Sequence, residues 1–171
     1  ILAIDSRHYA AIRWNAHCFT QVGDLENATR CYRELLKLEV TEESLCFLAE
    51  SLYQQNGLAE AKALYVRALE IIDYESCRLF EIYKNLGNIA LREGDIDFAE
   101  ENYNRAYAFS PHSDILLVNY GTLEIQRGAY DLASERFKDA IELNQRNDQA
   151  WAGLGLCFQQ IGDFDLAFAA I

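Results

Sequence analysis

A chain of 171 residues, 51% hydrophobic and 25% charged, is long enough to bury a core without disulfide staples. Its formal net charge of −12 argues against nonspecific contact with phosphate backbones, because releasing counterions needs clustered Lys and Arg. The basic residues stand singly, as in Arg30, Arg33 and Lys37, so no nucleic-acid partner is expected and the acid excess reads as a solvated outer face.

Pro111 is the single proline, a scarcity that favours helices over a disordered linker or an all-β chain. The five cysteines (Cys18, Cys31, Cys46, Cys77, Cys157) form an odd set without C-x-x-C, so they read as buried, reduced thiols in a cytoplasmic protein rather than as disulfides or a zinc site. No apolar run is long enough to insert in a membrane, and no signal-peptide pattern is present.

In chain order, Ile1-Leu2-Ala3-Ile4-Asp5-Ser6 reads as the tail of a helix, so residues 1–8 are expected to close a preceding repeat and the chain to be a piece of something longer. Residues 9–41 form a first unit, with Ile12, Ala16, Phe19, Gly23-Asp24-Leu25, Ala28 and Tyr32, and with Leu35 where a later unit has Ala. Residues 42–79 form a second, with Leu45, Leu48-Ala49, Leu52, Ala61, Tyr65 and Ala68. Its Gly57 falls one residue late in the turn, and the stretch Asp73-Tyr74-Glu75-Ser76 is extra, either a lengthened helix end or a loop insertion.

Residues 80–113 carry the clearest unit: Tyr83-x-x-Leu86-Gly87-x-x-Ala90, then Gly94-Asp95, Ala99, Tyr103, Ala106 and Pro111. Residues 114–147 repeat it with Leu117, Tyr120-Gly121, Gly128, Tyr130, Ala133, Phe137 and Ala140. Residues 148–171 begin it again with Trp151, Leu154-Gly155, Gly162-Asp163-Phe164 and Ala167. Gly87, Gly121 and Gly155 lie 34 residues apart, as do Gly94, Gly128, Gly162 and Ala99, Ala133, Ala167. Small residues in fixed registers mark close helix contacts and tight turns of one recurring unit, with Gly87 expected to face the neighbourhood of Ala99.

This pattern resembles the tetratricopeptide repeat. The resemblance implies an all-α, right-handed superhelical solenoid of antiparallel helix pairs, whose first helices line a concave groove that binds peptides or helices of partner proteins. Offsets i, i+3, i+7 and i+10 give the inward face. It reads Ala10, Arg13, His17, Thr20 and Glu43, Cys46, Glu50, Tyr53 in the first two units, then Glu81, Lys84, Asn88, Leu91. The last two units offer Ile115, Val118, Thr122, Ile125 and Gln149, Ala152, Leu156, Gln159. The groove thus becomes apolar toward the C-terminus, which suits either apolar side chains of a partner segment or a later helix of the full protein folded back over it. Val118 and Ile125 are expected on this face and not between helices. Uncapped ends, with Leu2 and Ile4 at one and Phe164, Leu166, Phe168 and Ile171 at the other, also leave room for self-association.

Lys84, Asn88 and Asn119 match the first places of the family's carboxylate clamp, but Gln149 and Gly153 stand where its remaining basic residues belong. Nothing points to catalysis or a cofactor. His8 and His112 are expected at turns, and His17 stands alone on the groove face beside Arg13 and Glu50. Gly153-Leu154-Gly155 lacks the strand and third glycine of a dinucleotide site. The reading is a non-catalytic interaction scaffold; the alternative is a regulatory or substrate-docking region of a larger enzyme, such as a glycosyltransferase.

Overall fold

The computed structural model describes residues 6–163, so Leu2, Ile4, Phe164, Leu166, Ala167, Phe168 and Ile171 lie outside the described residues. Among the described residues the chain is entirely helical: α1 (Ser6–Gln21), α2 (Leu25–Leu38), α3 (Glu42–Gln54), α4 (Leu58–Ile71), α5 (Arg78–Glu93), α6 (Ile96–Phe109), α7 (Asp114–Arg127), α8 (Tyr130–Leu143) and α9 (Asp148–Ile161). Two compact units divide it, Ile1–Ser76 and Cys77–Ile171.

Side-chain caps start most of these helices. Asp24, Thr41, Asp95, Ser113 and Asn147 each accept a hydrogen bond from the backbone N–H three residues on, satisfying a donor that the helix itself cannot. Gly94 (φ 81°) and Gly128 (φ 75°) end α5 and α7 in the left-handed conformation, which costs a residue without Cβ little. In the turn before α4 that position falls to Asn56 (φ 65°), and the late Gly57 becomes the N-cap. The extra residues after α4 form a loop, since the helix stops at Ile71 and the next begins at Arg78.

In the first unit α1 pairs with α2 and α3 with α4, and α2 packs on α3. Ala28, Tyr32, Leu35, Leu45, Leu48, Ala49, Ala61, Tyr65 and Ala68 are buried there. In the second unit α5 pairs with α6 and α7 with α8; α6 packs on α7, α8 packs on α9, and the first helices α5, α7 and α9 run as neighbours. Its core has two clusters. One joins Ala90, Leu91, Ala99, Tyr103, Ala106, Leu116 and Leu123; the other joins Val118, Ala133, Phe137, Ala140, Ala150, Leu154 and Cys157.

These positions bear on four sequence expectations. His8 lies within α1 and not at a turn. Gly87 makes room for the Tyr103 ring, one turn from Ala99 on α6: a Cβ on Gly87 would stand 2.4 Å from that ring. Only Cys157 is buried; Cys18 and Cys77 are exposed and Cys31 and Cys46 half-buried. Leu91 and Val118 belong to the core clusters, because the helix flank carrying them is closed by neighbouring helices.

Candidate functional site

In the first unit, α1 and α3 frame a concave pocket of about 460 Å³ lined by Tyr9, Ala10, Arg13, Trp14, His17, Tyr32, Glu43 and Phe47. Its walls are aromatic. Tyr32 and Phe47 stack with ring centroids 5.5 Å apart, and Trp14 meets His17 edge-on at 6.3 Å. The polar element is an exposed ion pair, Arg13 Nη2 to Glu43 Oε1 at 3.3 Å. Burial pushes the Tyr32 phenol up from its ordinary pKa, a shift that its contact with the Thr20 hydroxyl opposes and the charge of Glu43 adds to. Thr20 Oγ1 lies 3.3 Å from that phenol oxygen.

Arg13 and His17 therefore share a pocket, as their spacing suggested, but the carboxylate facing Arg13 is Glu43 and not Glu50. Glu50 lies further along α3, where it accepts from Tyr65 Oη (3.1 Å) and Gln54 Nε2 (3.0 Å); Tyr53 is half-buried and outside the pocket lining. Sequence reasoning missed Trp14 and Phe47 as lining residues, although they occupy the same place in successive repeats.

In the second unit, Lys84 pairs with Glu81 one turn away and lies 5.7 Å from the centre of the Phe80 ring. Asn88 Oδ1 accepts from Tyr103 Oη at 2.9 Å, repeating the Tyr65–Glu50 bond of the first unit. Asn119 is half-buried, and its Nδ2 has no hydrogen-bond partner among the described residues. Gly153 packs under Phe137, where a Cβ would come within 2.4 Å of the ring. Lys84 and Asn88 are thus engaged by the protein's own side chains.

On α7 and α9 the exposed positions are more open. Ile115 is 49% and Leu156 41% exposed, Thr122, Ala152 and Gln159 are exposed, and Ile125 is half-buried against the core. Val118, at 6%, is not available to a ligand. Among the described residues, no group of three or more His, Cys, Asp or Glu could hold a metal, and no helix is long and apolar enough to cross a membrane.

Residues 119–171 match the family model described as tetratricopeptide repeat. The fold is that of a tetratricopeptide-repeat solenoid. Its fold is similar to a chain of the APC/C hetero-tetramer Cut9–Hcn1 (TM-score 0.79, 19% identity), covering 89% of the present chain but only 30% of that one. It is also similar to BtubC from P. vanneervenii (TM-score 0.78, 22% identity, 98% of this chain and 80% of that one). MamA residues 41 to the end from Desulfovibrio magneticus RS-1 give a TM-score of 0.78 at 15% identity, over 99% of this chain and 93% of that one. At these identities the likeness is one of fold. No curated protein matches the sequence. Within these repeats, the α1/α3 pocket and the α7/α9 face are two of the surfaces that packing leaves open.

Proposed function

We propose that this tetratricopeptide-repeat protein is a non-catalytic, cytoplasmic scaffold that binds a peptide or helix of a partner protein, with the α7/α9 face of the second unit receiving the partner's apolar side chains. The observation that carries the reading is the exposure of Ile115 and Leu156 on neighbouring first helices whose other flanks fill the core. Apolar surface left in water on such a face gains roughly 25 cal/mol per Å² when a partner covers it. Ile115, Thr122 and Ile125 share one side of α7, so a partner helix laid along it would offer apolar residues at matching turns. In the first unit, the ring-walled pocket with its Arg13–Glu43 pair suits a mixed polar and aromatic segment.

The test is selection of binding sequences from a displayed random-peptide library, counter-screened with the Ile115→Asp/Leu156→Asp variant. Recovered peptides should carry apolar residues at helical spacing and lose the variant. Peptides that bind both proteins equally would remove the α7/α9 face from the reading.

A further inference from the structure

Among the described residues, three of the four turns that join the two helices of a repeat put a glycine in the left-handed conformation: Gly23 (φ 76°), Gly94 (φ 81°) and Gly128 (φ 75°). The residue that follows is Asp24, Asp95 or Ala129. The α3/α4 turn is built the other way round. Asn56 takes the left-handed position at φ 65° and Gly57 follows it, which makes the only Asn-Gly pair in the sequence.

An asparagine followed by glycine holds the parts of an intramolecular reaction. The Gly57 amide nitrogen, once it has given its proton to hydroxide, can attack the Asn56 side-chain carbonyl carbon, and the missing Cβ leaves that approach unhindered. The new N–C bond expels ammonia and closes a succinimide ring. Water then opens the ring at either carbonyl, giving an aspartyl residue or an isoaspartyl one whose main chain runs through the side-chain carbon. In the closed turn the nitrogen is held, since Gly57 N–H donates to the Leu52 carbonyl at 2.8 Å and Asn56 N–H to the Tyr53 carbonyl at 3.0 Å. The turn itself is weakly braced. Asn56 is exposed and carries a Cβ where the other turns have glycine, and α4 starts without the side-chain cap that Asp24 gives α2 and Asp95 gives α6.

We propose that Asn56 is a site of self-modification, losing ammonia through a succinimide with Gly57 when the α3/α4 turn opens, so that the chain gains a carboxylate there and, in the isoaspartyl form, an extra main-chain atom. The aspartyl product keeps the turn: its charge lies at the C-terminus of α3, which disfavours it, and at the N-terminus of α4, which favours it. The isoaspartyl product does not. It inserts an atom between Asn56 Cα and Gly57 N while Leu52 and Tyr53 stay fixed in α3, so the two turn bonds cannot both be kept. The hairpin loosened in this way includes α3, which carries Glu43 and Phe47 of the α1/α3 pocket.

The full chain is incubated at mildly alkaline pH beside a synthetic peptide copying residues 50–62, until some asparagine of the chain has converted. Mass spectrometry of tryptic fragments assigns the site, Asn56 being the sole asparagine of fragment 38–62, and enzymatic methylation counts isoaspartyl residues. Asn56 should convert before every other described asparagine, at a rate about tenfold or more below the peptide's that climbs toward it as urea opens the turn. Asn56→Gly, which suits the left-handed position, should fold as the wild type does and leave fragment 38–62 free of isoaspartate. Earlier conversion of a different asparagine would overturn the site, and conversion at the free peptide's rate would overturn its control by the turn. The isoaspartyl fraction, separated by chromatography, should melt below Asn56→Asp, which adds the charge alone; equal melting would overturn the broken turn.

Discussion

A Cβ on Gly153 would stand 2.4 Å from the ring of Phe137, closer than any real contact of that kind. Phe137 also lies against Gly121, where an added Cβ would come within 2.7 Å. The ring thus occupies space that two glycines leave empty. Gly153→Ala gains up to about 1 kcal/mol of helix propensity. It loses roughly 1–3 kcal/mol to overpacking, because the buried ring has nowhere to move. Net destabilisation is the expected outcome, read as a lower urea midpoint with unchanged slope.

Tyr103 fills the equivalent place beside Gly87 and adds a hydrogen bond, its hydroxyl donating to Asn88 at 2.9 Å. Tyr103→Phe should cost about 0.5–1.5 kcal/mol, since Asn88 is half-buried and regains water in part. Tyr103→Ala should cost roughly 3–5 kcal/mol by emptying the core cluster between α5, α6 and α7. Chemical denaturation of the two variants separates the polar from the packing contribution, and equal losses would contradict this division.

The sign of the pH dependence follows from two carboxylates of the second unit. Asp114 is partly buried, which alone would raise its pKa, but hydrogen bonds from Asn144 (2.7 Å) and Asn147 (2.9 Å) and from backbone N–H groups outweigh this and hold it below its usual value. Glu100 is lowered mainly by its hydrogen bond from Arg127 at 2.6 Å. Both groups bind protons more weakly when folded, so their contribution is present above the ordinary carboxylate range and is lost as pH falls through the folded values. Thermal midpoints taken from about pH 6 to about pH 3 should fall, and fall less steeply for Asp114→Asn.

How much of this was legible depended on what sets each feature. The helix pairs follow from local signals, glycine and alanine spacing, Asp caps and the large ring, and these survive in the sequence because every repeat must solve the same packing problem. Asn56 taking the left-handed turn was less visible: Gly57 nearby looked like the turn residue displaced by one, and only the backbone shows that it caps α4 instead. The site was read less well for a geometric reason. Four offsets per helix were treated as one open face, yet Val118 sits where α9 closes against α7 while Ile115 lies clear of it. Trp14 lines the pocket but lies outside the offsets i, i+3, i+7 and i+10 that define the inward face, so that face does not contain it.

Ile115, Leu156 and Val118 therefore make a controlled comparison on one pair of helices. Ile115→Asp and Leu156→Asp place a carboxylate where 49% and 41% of each residue already meets water, so folding should change by no more than about 0.5 kcal/mol. Val118→Asp puts the charge among Phe137, Ala150, Leu154 and Cys157, in a site where burial already raises the pKa of the Cys157 thiol. An uncompensated charge there should cost roughly 3 kcal/mol or more and lower helicity on mild heating. Circular dichroism melts of the three variants decide the point: a Val118→Asp protein as stable as the wild type would return that residue to the open face, whereas a collapse confined to it leaves Ile115 and Leu156 as the positions through which partner binding can be removed without unfolding the chain.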